Sequence, residues 1–178
     1  MTQPKQACLV CGSAAKVVRK DYNFPESGLE NVFLHAIEVI VCPRCGSESP
    51  RIPQQEDLML TIAVALIDKP SELSGAEIRF LRKHLEQGSA AFAQMLGIDR
   101  SHLSRIENGT LSVSRQTDRL VRALALVQQP ALRRKLRSLG HHSNILQRFS
   151  AIDPDARAIR VRLDCSADGY SYALNPAA

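Results

Sequence analysis

Apolar residues fall into short β-like runs over the first fifty positions and into helical spacing after them. The β-leaning runs are Lys16-Val17-Val18, Asn31-Val32-Phe33-Leu34 and Ile37-Glu38-Val39-Ile40-Val41, with Pro25-Glu26-Ser27-Gly28 as the turn between strands. Pro50 and Pro53 punctuate the exit. From Gln54 to Ile67 the spacing is helical, yet Leu58 to Ile67 is apolar almost all round. Such a helix must be covered on several sides, between domains or against a second subunit. Ser74 with Glu77 three residues on predicts an N-cap and capping box, and Ile78, Leu81 and Leu85 make the buried stripe of that helix. A short helix over Ala91–Leu96 and a turn at Gly97-Ile98-Asp99 follow. Asp99 caps a helix from Arg100 to Glu107 that stops at Asn108-Gly109. A fourth helix, Ser114 to Val127, turns Leu120, Val121, Leu124 and Ala125 inward and leaves Arg115, Arg119 and Arg122 on its other side. Leu132 to Gly140 forms a short, very basic amphipathic helix. Ile159 to Cys165 and Tyr170 to Leu174 alternate about Ala167-Asp168-Gly169 as a β-hairpin.

These elements predict an α+β chain in four segments. Residues 1–52 form a small β domain, 53–71 a linker helix, 72–128 a compact all-α domain, and 129–178 a basic helix and β-hairpin extension. Some fifty residues bury little surface, so the first segment needs help to fold.

That help is encoded in two matched CxxCG pairs, Cys8-Leu9-Val10-Cys11-Gly12 and Cys42-Pro43-Arg44-Cys45-Gly46. Thiolates two residues apart clamp one face of a Zn²⁺ ion from a tight turn, and a second such pair closes the tetrahedron. The Gly after each pair suits a turn of positive φ that aims backbone amides at the sulfurs. The expectation is one structural zinc held by Cys8, Cys11, Cys42 and Cys45. Two copies without a thioredoxin-like context argue against a redox dithiol, and nothing suggests export and hence disulfides. Met-Thr-Gln-Pro-Lys-Gln has no apolar leader character, and Leu58–Ile67 is about half the length of a membrane span. The expected compartment is a reducing cytoplasm, with no membrane partner and with Cys165 a free, buried thiol. His141-His142 in a Gly/Ser-rich stretch is expected to be loop rather than ligand.

Composition is otherwise ordinary: 178 residues, 44% hydrophobic and 23% charged, with aromatics at 4%, so the cores should be aliphatic. Charge is uneven. The net is +5, but Asp99 to Arg148 alone holds ten basic and three acidic residues, a balance of +7 in an otherwise near-neutral chain. That is the footprint of a polyanion partner or, alternatively, a solvated helical face.

The pattern inside the block decides between them. An apolar helix, a Gly in a short turn, and a capped helix bearing short polar and basic side chains are the order of a helix-turn-helix. The phrase Leu96-Gly97-Ile98-Asp99-Arg100-Ser101-His102-Leu103-Ser104-Arg105-Ile106-Glu107-Asn108-Gly109 resembles the core of phage-repressor-type (Xre family) domains. Leu103 and Ile106 read as core, and Glu107 as structural. Arg100, Ser101, His102, Ser104 and Arg105 face out, with Arg100, Ser101 and Arg105 as candidates for base edges in a major groove. With the two CxxCG pairs and the phrases Tyr22–Val32 and Glu77–Lys83, residues 8–127 resemble the MqsA-like antitoxins and their YgiT-type zinc-finger relatives. The resemblance implies a bacterial protein with a structural zinc, a helical domain that dimerises on palindromic double-stranded DNA, and base contacts from Ser101 and Arg105. In true antitoxins of that family the N-terminal domain holds a ribonuclease toxin. Relatives carry Ser-Gln at the start of the second helix, where the Gln anchors a phosphate. This chain has Gly88-Ser89, leaving Ser89 as a shorter donor. Arg119 is a further phosphate candidate.

The expected function is therefore a dimeric, sequence-specific transcriptional regulator, a repressor or autoregulating antitoxin, and not an enzyme. The competing reading is an antitoxin acting mainly by sequestering a toxin protein through residues 1–52. The basic helix either touches phosphates or is a solvated face. The hairpin, marginal alone, serves as a wing against DNA through Arg160 and Arg162, a dimer staple or a partner-binding edge.

Overall fold

The β-leaning runs build one sheet. In the computed structural model, which describes residues 6–140, 149, 151–153, 156 and 158–176, the strands are β1 (Gln6–Ala7), β2 (Ala14–Asn23), β3 (Val32–Val41), β4 (Glu48–Pro50), β5 (Ile159–Ser166) and β6 (Gly169–Pro176). Six α-helices are present among the described residues, so the fold is α+β. The sheet runs β1-β2-β3-β5-β6, with β4 also on β3. The runs Asn31–Leu34 and Ile37–Val41, read separately in the sequence, merge into β3 through Ala36, whose φ is 48°. Opposite it β2 bulges between Lys20 and Tyr22. The Asp21 carboxylate, in that bulge, accepts the Ala36 N–H at 2.9 Å and lies 2.6 Å from His35 Nδ1.

β3 pairs antiparallel with β2 along one edge. Its other edge is divided. Val32–His35 pair in parallel with Val161–Asp164, and Val39–Val41 pair antiparallel with β4. Parallel neighbours need a long crossover, and here all six described α-helices lie between the two strands. The C-terminal hairpin thus completes the N-terminal sheet. Arg160 lies over the Phe33 ring at 5.4 Å and Arg162 donates to Asp164 at 3.2 Å, so both expected wing residues are engaged with the sheet itself. Cys165, expected to be buried, is exposed. The inward alternation of Ile159, Val161 and Leu163 stops short of it, although its cross-strand partner Tyr170 is buried.

The all-round apolar helix, α1 (Gln55–Asp68), is covered by its own chain. It packs against β5 and β6 on one side and α2 (Gly75–His84) and α6 (Pro130–Ser138) on others. Leu58, Ile62 and Leu66 are fully buried, each contributing about 1.5–3 kcal/mol. Thr61, within the apolar run, donates to the Asp57 carbonyl at 2.7 Å. Polar joints tie the layers. Asp57 accepts Lys135 Nζ at 2.7 Å and the Tyr170 N–H at 2.6 Å. Glu77 accepts Lys69 Nζ at 2.6 Å and Asn31 Nδ2 at 3.1 Å while closing the capping box with Ser74.

α3 (Ser89–Met95), α4 (Arg100–Glu107) and α5 (Arg115–Gln128) complete the helical region. α5 is rotated from the expectation: its buried stripe is Asp118, Val121, Arg122 and Ala125, and Leu120 is 38% exposed. Arg122, expected outside, is 1% exposed. Its guanidinium meets Asp118 at 2.7 Å and donates to the carbonyls of Ile67, Lys69 and Ser71 at 2.6–2.9 Å. That set is closed, so the charge is compensated inside. Gly75 opens α2 where a Cβ would stand 2.0 Å from the Ile106 carbonyl, so only Gly allows the α2–α4 backbone contact.

Candidate metal centre and nucleic-acid interface

The two cysteine knuckles repeat one backbone design. Cys8 N–H donates to Ser13 O and Gly12 N–H to Cys8 O at 2.8 and 3.0 Å; Cys42–Ser47 and Gly46–Cys42 do the same at 3.0 Å each. Gly12 and Gly46 sit at φ 70° and 71°, in the left-handed turn expected of them. β2 and β3 carry the knuckles together because Lys16 pairs with Val41, next to Cys42.

The four Sγ atoms lie within 4.8 Å of one another. Cys8–Cys45 is 3.7 Å and Cys11–Cys42 is 3.5 Å. Sulfurs about 2.3 Å from a tetrahedral ion stand about 3.8 Å apart, so the set fits a single metal ion. The Ser47 hydroxyl reaches Cys8 at 3.1 Å and Cys45 at 3.2 Å. With the amides of Cys11 and Val10 it brings the Cys8 thiol down to about 6, and it also lowers Cys45. Cys42, despite the Cys45 amide that lowers it, is pushed up to about 11 by burial and the neighbouring thiols. Ser47 escaped the sequence reading, yet its signal was present: each knuckle ends Cys-Gly-Ser. Leu9 and Val10 project from the first knuckle at 77% and 72% exposure.

α3 and α4 are joined by the turn Leu96–Asp99, with Gly97 at φ 69°. Asp99 caps α4 by accepting the His102 N–H at 2.8 Å. It also takes the Ser101 hydroxyl, which is the main reason its carboxyl lies below the usual range. Leu103 and Ile106 are buried. Glu107 is locked by Arg82, at 2.7 and 2.8 Å, and by Arg79 at 3.5 Å, so it is structural. Arg100, Ser101, Ser104 and Arg105 are exposed and His102 half-exposed. Ser89 is half-buried at the first position of α3 and has no capping bond, with Gly88 as the N-cap. Arg119 is exposed, its Nε donating to the Phe149 carbonyl at 3.0 Å. His141 and His142 lie outside the described residues.

No described helix is long and apolar enough to cross a membrane. No protein-family model, curated protein or solved structure matches the chain.

Proposed function

We propose that the chain is a dimeric, sequence-specific DNA-binding regulator of the MqsA-like, Xre-type class that its sequence resembles, with one structural zinc. The observation that carries this reading is α4. Its inner residues Leu103, Ile106 and Glu107 are fixed by packing and ion pairs, while Arg100, Ser101, Ser104 and Arg105 stand on the solvent side, the acidic residues of α4 being the cap Asp99 and the buried Glu107. A short capped helix presenting hydroxyls and guanidinium groups is the shape and chemistry of a major-groove reader. Arg100, Ser101 and Arg105 read base edges. Ser89, His102 and Arg119 serve the flanking backbone, which positions the protein without specifying sequence. Zinc would be held by Cys8, Cys11, Cys42 and Cys45 and would cross-link the knuckles, contributing folding energy to a small sheet. Four thiolates would complete its shell and leave no open position for a substrate, so we read the site as structural and assign it no catalytic role. Selection of bound DNA from a random pool tests the reading. Winners with two-fold symmetric half-sites are expected, and recovery of no preferred sequence overturns it.

A second reading has its own support. Leu9 and Val10 form an exposed apolar tip on the zinc knuckle, which is the shape of a protein contact. On this reading the N-terminal domain sequesters a toxin protein, and the regulator is an autoregulating antitoxin of the bacterial cytoplasm.

A further inference from the structure

α5 carries two packing faces, and the chain covers one. The inner face, with Asp118, Val121, Arg122, Ala125 and Leu126, is buried. On the far side Leu120, Ala123, Leu124 and Val127 recur at helical spacing as a second stripe. Ala123 and Leu124 are half-buried, but Leu120 is 38% and Val127 68% exposed. Among the described residues the exposed large hydrophobics are these two, Leu9 and Val10 on the zinc knuckle, and Met95. Met95 borders the stripe, since Gln128, next after Val127, donates its Nε2 to the Met95 sulfur at 2.9 Å. One exposed Val needs no explanation, but a row of neighbouring apolar side chains marks a contact.

Two features of the stripe say what covers it. Its spacing is palindromic: steps of three, one and three residues join Leu120, Ala123, Leu124 and Val127. Reversed, it matches itself, Leu120 against Val127 and Ala123 against Leu124, a small side chain against a large one. That self-complementarity is what a two-fold axis between identical copies requires. Charge fixes the direction. The exposed charges of α5 are Arg115 and Arg119, both ahead of the stripe, while its one acid, Asp118, is buried on Arg122. The stripe itself is uncharged and calls for no counter-charge from a partner of different chemistry. A parallel copy would set Arg119 beside Arg119. An antiparallel copy centred between Ala123 and Leu124 separates them by nine residues of rise, about 14 Å, beyond the roughly 8 Å reach of a charge in physiological salt. The helix dipoles favour the antiparallel direction too.

We propose that two copies of the chain pair through α5, antiparallel about a two-fold axis between Ala123 and Leu124. The inference rests on the reading of the chain as a dimer and names the face that makes it. Four apolar side chains a copy are few against the roughly 20–30 residues a side of a standard interface, so the free dimer is weak and reversible. Sedimentation equilibrium of the zinc-loaded full chain over a range of concentrations tests it without DNA, so that it fails separately from the DNA-binding reading. A monomer–dimer equilibrium is expected. Leu120→Glu and Val127→Lys should each weaken it by on the order of tenfold or more, because each sets a charge against an apolar partner. Combining them should restore it, since the carboxylate introduced in one copy then meets the ammonium introduced in the other, twice per dimer. The two positions are seven residues apart, too far along one helix to pair within a chain. Both lie on the exposed side, so all three variants should keep the parental urea midpoint. A chain that stays monomeric at every concentration overturns the proposal. So does a double variant that associates no more tightly than the single ones. A dimer that the single variants leave intact overturns it as well, while leaving the dimer reading to another face.

Discussion

Arg105 and Arg122 carry the same group to opposite ends. Arg122 uses its whole fork on Asp118 and three carbonyls at 1% exposure. Arg122→Leu strands the Asp118 carboxylate, which is also 1% exposed and holds the Leu73 N–H at 2.6 Å. Breaking such a buried pair costs about 3–5 kcal/mol, to be read as a lowered urea midpoint. Arg105 is exposed, so Arg105→Ala should leave that midpoint in place. Its cost belongs on DNA: about 1–3 kcal/mol on the preferred site, with relaxed choice at one base, measured by titration of selected and mismatched duplexes. A Ser101→Ala/Arg105→Ala variant that keeps parental affinity and preference refutes the assigned face. His84 gives a pH test. Burial lowers its pKa from 6.5, and its Nε2 has no hydrogen-bond partner among the described residues. The folded chain therefore prefers the neutral ring. Stability should be full above the unfolded value and fall as pH drops through about 6.5 toward the lower folded value, seen as a falling urea midpoint absent in His84→Phe.

Among the elements, the α6 helix divides its charges by position. Lys135 is drawn in, 12% exposed, onto Asp57, whereas Arg133, Arg134 and Arg137 are exposed. Changing those three arginines to Gln should flatten log K against log[salt] by about 2–3 units if they meet phosphates, at about 0.9 per contact, with base preference unchanged. Parallel salt plots would assign the segment to solvent. Lys135→Gln should act otherwise: it loosens the joint between α1, α6 and the Tyr170 amide and lowers stability by about 1–2 kcal/mol while leaving the salt slope alone. Capping chemistry was legible locally. Ser74 with Glu77 and Asp99 cap as their spacing says, because a cap is closed by residues three apart; Ser114, read as the first residue of the fourth helix, is its cap as well. The face of α5 was not legible. Its stripe includes Asp118 and Arg122, and an ion pair at helical spacing reads as surface until three carbonyls from another segment close over it.

For the molecule as a whole, the zinc sheet and the hairpin are one object. Purified protein should contain one Zn²⁺ per chain. Cys8→Ser or Cys42→Ser should disorder residues 6–50 and, through the β3–β5 pairing, loosen the hairpin, and because the helices share one apolar core with β3, β5 and β6 it should lower their stability too. Metal analysis, far-UV circular dichroism and amide exchange check this. A metal-free chain with unaltered protection in β2 and β3 would sink the structural role of the ion. Hairpin amides that stay protected would show that the helices, not the sheet, hold it.

What the sequence determined was everything closed within a short span. The knuckles depend on a two-residue spacing and a following Gly. The α3–turn–α4 unit depends on Gly97, Asp99 and the Leu103/Ile106 pair, and the hairpin on strict alternation about a two-residue turn. Only the tertiary structure decided what these units meet. Parallel pairing of Val32 with Val161 joins residues with the whole helical region between them, and no local pattern encodes a partner at that distance. For the same reason Arg122 went inside, Lys135 turned from solvent to Asp57, and Cys165 came out exposed. Periodicity tells which face of an element is apolar. Which neighbour covers it, and where the cover stops, follows from packing alone.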